Sequence, residues 1–293
     1  MKDSIPSYYK YWGKSTGHRL VYHSLDVAAF VMAYGERWPA LIERICQSSP
    51  SIGLKHLCAL AACHDVGKFA LCFQGINPAH YKEVFGPLSP PRYYDEVRHY
   101  RLGRALAARI LPSGVRVSSQ ALNAVFLHHG VPVTYDVALA AINFGPETLD
   151  DARAFTSEVF QLLGMEPSFT FRPDSKTTWA LAGLMVFCDW LASGHAPPEL
   201  DEIPLYQYWQ EILPLAHSVI DSLVITPHTP SREEGMKYLF PKIAFPTPLQ
   251  ETVSHMPIGK GPHLIVIEEP TGAGKTEAGT VLAHRICSPQ AWG

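Results

Sequence analysis

A chain of 293 residues, 47% of them hydrophobic, can bury one large core or one core with a small appendage, which excludes disorder as its general state. Its formal net charge of -3 gives no global attraction to nucleic acid or acidic lipid, so a polyanion would have to be held by a local patch or by metal ions. The six cysteines (Cys46, Cys58, Cys63, Cys72, Cys188, Cys287) form no CxxC pair and follow no secretory leader, which predicts reduced core thiols in a cytoplasmic protein. The longest apolar run, Leu181 to Ala192, is interrupted by Asp189 and too short to span a bilayer, so no membrane partner is expected.

In chain order, residues 1–19 are aromatic and basic (Tyr8, Tyr9, Lys10, Tyr11, Trp12, Lys14, Arg19). That mixture predicts an arm packed on the domain, with stacking on nucleic-acid bases as the sharper alternative. Apolar spacing from Leu20 to Tyr34 predicts a helix with His23 and Asp26 three apart on one face. Further helices are expected from Trp38 to Cys46 and from near Ile52, whereas Pro78 to Pro91, punctuated by Pro and Gly, reads as a loop. Helix resumes near Asp95 and includes His99. Arg98, Arg101, Arg104 and Arg109 give that helix a basic side, read either as a solvated face or as a phosphate-contacting strip. Ser118 or Ser119 supplies an N-cap for a helix running to Leu127-His128-His129-Gly130, where glycine stops it. A strongly apolar helix from Trp179 to Ala192 carries one acid, Asp189, and an acid in such a setting is usually paired or metal-bound. Almost nothing before residue 222 reads as strand, so this part is expected to be all-helical.

The chemistry is expected where the third helix ends, in His64-Asp65-Val66-Gly67-Lys68. Burying His and Asp side by side is costly unless something cationic compensates, and a metal ion is the simplest compensator. Asp65 can bridge two metals through its two oxygens, Gly67 allows a tight turn out of the helix, and Lys68 then points toward whatever anion the metals hold. The blander reading is a helix end whose His and Lys answer the helix dipole. Further potential ligands elsewhere (His23, His99, His128, His129, Asp189) favour the metal reading, because facing helices of a bundle can gather such side chains around one or two ions.

After Val224 the character changes. Seven prolines between 227 and 262 mark a linker, and His263-Leu-Ile-Val-Ile267 reads as a buried strand leading through Pro270-Thr-Gly272-Ala-Gly274-Lys275-Thr276 into a helix. Gly272, Gly274 and Lys275 suit phosphate binding, and Thr276 suits Mg²⁺. Position 269, where the stricter pattern asks for Gly, is Glu. Three segments are therefore expected: a helical domain over 1–222, a linker over 223–262, and an α/β fragment over 263–293.

The order His23, His64-Asp65, His99, His128-His129, Asp189 resembles the H…HD…H…HH…D pattern of HD metallohydrolases. Together with Tyr11-Trp-Gly-Lys-Ser15, Tyr22-His-Ser-Leu-Asp-Val-Ala28, His64-Asp-Val-Gly-Lys-Phe69 and Asp189-Trp-Leu-Ala-Ser193, it resembles the HD nuclease domain of the CRISPR-associated nuclease-helicase family of type I systems. The glycine loop is similar to motif I of superfamily 2 helicases, and Phe245-Pro-Thr-Pro-Leu-Gln250 to their Q motif, whose glutamine would read adenine. The resemblance implies a mainly α HD domain followed by an incomplete RecA-like α/β fragment, and an endonuclease of single-stranded DNA recruited by the Cascade surveillance complex. It implies one metal on His23, His64, Asp65 and Asp189, a second on Asp65, His99, His128 and His129, and catalytic roles for Asp65 and for Lys68, the latter facing the transition-state charge. His-rich ligation favours Mn, Fe, Co or Ni, with Mg left open. ATP with Mg²⁺ would matter only in a complete helicase domain. A second lobe and acidic helicase motif are missing by residue 293, so no ATP-driven translocation is expected of this polypeptide alone, and a separate helicase chain is a further expected partner. Two other readings stay open: an HD phosphohydrolase of nucleotides, and a non-catalytic fragment docking on Cascade or a helicase.

Overall fold

Helix α1 (Leu20–Arg37) is apolar on nearly every side, with Leu20, Val21, Leu25, Val27, Ala28, Phe30 and Val31 all buried, and such a helix must lie at the centre of a core. The computed structural model describes residues 5–14, 17–126, 129, 135–165, 168–195, 197, 202–223, 235–259 and 263–287. Two units divide the chain, Met1–Leu223 and Val224–Gly293.

In the first unit, α1 is followed by α2 (Pro39–Cys46), α3 (Pro50–Ala62), a 3-10 turn (Val66–Phe69), α4 (Leu71–Gln74), α5 (Pro78–Phe85) and α6 (His99–Ile110). Strand β1 (Gly114–Val117), α7 (Ser119–Phe126), α8 (Val137–Asn143), α9 (Pro146–Leu162), β2 (Ser168–Phe171), α10 (Ser175–His195) and α11 (Leu205–Ser222) complete it. Helices α3, α10 and α11 pack around α1, and α6 packs on the 3-10 turn after α3. The unit is mainly α, as expected, and among the described residues no helix is long and apolar enough to cross a membrane.

The N-terminal arm is packed rather than presented for stacking. Tyr8, Tyr9 and Tyr11 are buried, and Tyr11 Oη donates to Asp151 Oδ2 on α9 at 2.8 Å. Two expectations are corrected. The supposed loop from Pro78 contains α5, because Asn77 accepts from His80 N at 3.2 Å and Pro78 occupies the first helical position, where its missing N–H costs nothing. The unit is also not strand-free: β1 and β2 pair in parallel, Gly114 with Ser168 through Val117 with Phe171, burying Phe169 and Phe171. Each strand has four residues and its partner lies some 54 positions away, so local periodicity carried little signal.

Gly67 is needed for a different reason from the one expected. It is not among the left-handed glycines; instead a Cβ there would stand 1.7 Å from His99 O and 2.7 Å from Gly103 N. The missing side chain lets the first turn of α6 lie directly on the turn after α3.

The second unit has α12 (Met236–Leu239), α13 (Pro248–His255) and α14 (Lys275–Cys287) around Met236, Val253, Ala278, Val281 and Leu282. Helical structure thus interrupts the expected linker. Residues 263–270 form no strand, in contrast to the expected His263–Ile267 strand, because no described segment pairs with their backbone.

Gly67→Ala should destabilise the chain by about 3 kcal/mol or more in urea denaturation, since backbone must move to admit the methyl group. Gly183→Ala, in open space on α10, should instead stabilise by roughly 0.5–1 kcal/mol. Equal midpoints for the two variants would contradict this packing.

Candidate metal centre

Helix α3 is closed by Cys63 N on Leu60 O and His64 N on Ala61 O, a tight end that turns His64 and Asp65 inward toward α1. There α1 presents His23, α10 presents Asp189, and His99 opens α6. His23 Nε2 lies 3.5 Å from Asp65 Oδ2 and 3.3 Å from Asp189 Oδ1. His64 Nε2 lies 3.3 Å and 3.7 Å from the same two oxygens. On the other side of the carboxylate, Asp65 Oδ1 lies 3.3 Å from His99 Nε2, which is itself 3.0 Å from His129 Nε2. Asp65 therefore stands between two groups of imidazoles, one oxygen toward each. His128 lies outside the described residues.

His23, His64 and Asp65 are buried, and their donor atoms all lie within 4.8 Å of one another. Imidazole nitrogens of His23, His64, His99 and His129 and the carboxylates of Asp65 and Asp189 meet here, a donor set that fits divalent transition ions with mixed nitrogen and oxygen preference. His64 Nδ1 is 2.7 Å from Ala61 O; donation there puts the proton on Nδ1 and the lone pair on Nε2, toward the centre.

Charge is balanced locally. Burial works against a proton on His64, but Asp65 and Asp189 outweigh it and hold the imidazolium up to about 10. Burial likewise favours the neutral acid at Asp189, yet hydrogen bonds from His23 and His64 drive its carboxyl far below the ordinary range. The Lys68 ammonium is 2.6 Å from Asp65 Oδ2 and donates to Gly13 O at 3.0 Å. Lys14, buried at its Nζ and lowered in pKa chiefly by that burial, adds a second cation near Asp189.

The basic side of α6 is divided. Arg98 pairs with exposed Asp95, whereas Arg104 is buried and donates to Asn123 Oδ1 and Ser119 Oγ. Sequence reading passed over Tyr93, whose Oη is 3.4 Å from His99 Nδ1, and gave no role to Asp26, which it placed on the His23 face of α1 and which lies beside His23.

In the second unit, Gly272 and Gly274 have φ of 89° and 79° and bend the loop around a cleft of about 420 Å³ lined with Lys275 and Thr276. Lys275 Nζ donates to Glu269 O at 2.6 Å and Pro270 O at 2.8 Å. Gln250 is buried in a capping box with Thr247, and its Nε2 faces Gly274 O at 3.4 Å.

Residues 12–196 match the family model described as Cas3, HD domain. The chain is 29% identical over 304 residues to the CRISPR-associated endonuclease/helicase Cas3 of Thermus thermophilus, covering 94% of this chain and 32% of that protein. It spans about a third of the length of the curated relatives it matches. The crystal structure of the Thermus thermophilus cas3 HD domain in the presence of Ni2+ is similar at TM-score 0.52 and 22% identity, over 78% of this chain and 94% of that one. A chain in a CRISPR RNA-guided surveillance complex, pre-nicking, is similar at TM-score 0.56 and 22% identity, over 97% of this chain and 35% of that one. With the match running through His23, His64, Asp65, His99, His129 and Asp189, the chain belongs to the Cas3 HD-domain family.

Proposed function

We propose that residues 1–222 form a metal-dependent endonuclease domain with single-stranded DNA as its preferred substrate. The observation that carries this reading is the Asp65 carboxylate, with Oδ2 facing His23 and His64 and Oδ1 facing His99. One ion would be held by His23, His64, Asp65 and Asp189, a second by Asp65, His99, His129 and His128. Divalent ions bound there supply Lewis acidity, which activates water and offsets charge on a phosphodiester. The chain's own residues do the rest: His64 is oriented by its bond to Ala61 O, and Lys68, anchored on Gly13 O, pairs with Asp65 Oδ2 and holds that carboxylate in place. Lys68 and Lys14 place positive charge beside the centre, where it would face the oxygens of a bound phosphate.

The relatives' names support a place in CRISPR interference, and the neighbour from a surveillance complex supports docking on Cascade; a separate helicase chain and a cytoplasmic setting belong to the same proposal. Residues 223–262 and 263–293 then correspond to a linker with a Q-motif-like segment and the start of a RecA-like lobe, in which Gln250, Gly272, Gly274, Lys275 and Thr276 would meet ATP. Translocation by this polypeptide alone is not part of the proposal.

Metal-stripped chain reloaded with Mn²⁺ or Ni²⁺ should cut circular single-stranded DNA without ATP, and Asp65→Ala should fall to the level of the metal-free protein. Intact circles with a metal-loaded parent chain, or turnover of free nucleotides instead, would replace this reading by that of a nucleotide phosphohydrolase.

Metal uptake should also release protons. With His64 held up to about 10, its ring is protonated at pH 7.5 in the metal-free chain and an ion must displace that proton. Calorimetry in buffers of different ionisation enthalpy should show release of about one proton per chain, and affinity should rise with pH toward 10. In the metal-free chain the linkage has the opposite sign: the His64 contribution to stability is full below its unfolded value, about 6.5, and is lost as pH rises through about 10. That from Asp189, lowered on folding, is present above about 4 and lost at lower pH.

A further inference from the structure

Behind His23, on the side away from the metal centre, lies a polar cluster that the proposed chemistry does not use. Asp26 is fully buried, 0% exposed, one helical turn after His23 on α1. Its Oδ2 is 2.7 Å from His18 Nε2, and its Oδ1 accepts from Tyr208 Oη at 2.5 Å. Tyr208 comes from α11 and stacks on Tyr22 of α1 with ring centroids 4.3 Å apart. Tyr22 Oη in turn donates to Ile203 O and accepts from Ile203 N, so the start of α11 is tied to α1 at this level.

A buried carboxylate with two donors could be a purely structural clasp between α1 and α11. The imidazole next to it argues for more. His23 Nδ1 is buried and has no hydrogen-bond partner among the described residues, while Nε2 at the other end of the ring faces Asp65 and Asp189. Asp26 Oδ2 lies 4.0 Å from that Nδ1, about 1 Å beyond hydrogen-bond range. An imidazole that offers Nε2 to a cation must carry its proton on Nδ1, and a buried N–H needs an acceptor. Asp26 is the acceptor on the correct side, and an oxygen with two lone pairs can serve His18 and His23 together.

We infer that Asp26, held by His18 and Tyr208, is a positioning residue that accepts the Nδ1 proton of His23 and thereby sets the tautomer and orientation of that ring toward the metal centre. The inference rests on the metal-centre reading above. It extends the functional site by one layer, out to α11 and to Tyr208, which lies beyond the residues 12–196 matched by the family model.

The test uses metal uptake rather than cleavage. Parent and Asp26→Asn chains, stripped of metal, are titrated with Co²⁺ followed by visible absorption and with Ni²⁺ by calorimetry, below the unfolding temperature of both. Asp26→Asn is expected to bind each ion roughly 10- to 100-fold more weakly, with an altered Co²⁺ spectrum. Unchanged affinity and spectrum in a folded variant, even one with a lowered melting temperature, would leave Asp26 as a structural clasp and overturn the inference. Should the variant not fold, long-range 1H–15N spectra of the Zn²⁺-loaded parent decide: a proton on His23 Nδ1 is expected, and a bare Nδ1 overturns the assignment. A parent chain that takes up no ion overturns the metal centre itself and this role with it, an outcome distinct from equal uptake by the two chains.

Discussion

The Asp65 carboxylate is the constraint on which the first unit depends. It is 2% exposed, in a largely apolar core, and an isolated charge there would cost far more than a folded domain can spare. Compensation comes from several elements at once: α1 gives His23, the end of α3 gives His64, the turn after it gives Lys68 and α6 gives His99, while Asp189 of α10 adds a second carboxylate that the same imidazoles meet. Packing and site are thus set by the same geometry. Gly67 shows the coupling most directly, because the close approach that needs a missing Cβ is the approach that brings His99 to Asp65.

Lys68 links this centre to the N-terminal arm. Its ammonium bonds to both Asp65 and Gly13 O, and Gln74 Nε2 donates to Lys68 O at 2.7 Å and to Trp12 O at 3.1 Å. Farther along, Asp151 on α9 accepts from Tyr11 and Ser7 and pairs with Lys10. Loss of the arm would therefore remove the anchor of Lys68 as well as several buried aromatic rings. The expectation that these tyrosines might meet nucleic-acid bases fails for a simple reason: their rings fill the core, and the hydroxyls of Tyr8 and Tyr11 bond to the acids Glu158 and Asp151.

Much of this was legible in the sequence, and what was not has physical causes. The His64-Asp65 doublet and Asp189 stand out because ionisable residues inside apolar helical runs are expensive, so their presence is informative without any knowledge of the fold. His23 was visible once a second and third ligand existed to meet it. The spacing could not show that Lys68 turns onto Asp65, since a lysine stem reaches in any direction and only the path of Gly13 decides. Strands β1 and β2 were hidden because a four-residue parallel strand is defined by a distant partner. Helix α5 was masked by the prolines around it, although Asn77-Pro78 is a helix-start signal when Pro is read at the first helical position.

The second unit shows the opposite balance, where local signals were clear and the structure they imply is incomplete among the described residues. His263 to Ile267 has the continuous apolar character of a strand covered on both faces. Yet Leu264 and Val266 are 93% and 73% exposed, and the segment has no ladder partner. A strand is stabilised by its neighbours' hydrogen bonds and side chains, so an isolated one remains merely extended. The glycine loop, by contrast, is shaped by its own backbone: Gly272 and Gly274 adopt left-handed φ, and Gln250 and Thr247 hold it through Gly274 O and Ala273 O. In this conformation Lys275 serves the carbonyls of Glu269 and Pro270. A phosphate entering the cleft must therefore compete with those two acceptors for the ammonium, and charge favours the phosphate because an anion outbids a neutral carbonyl for the same donor.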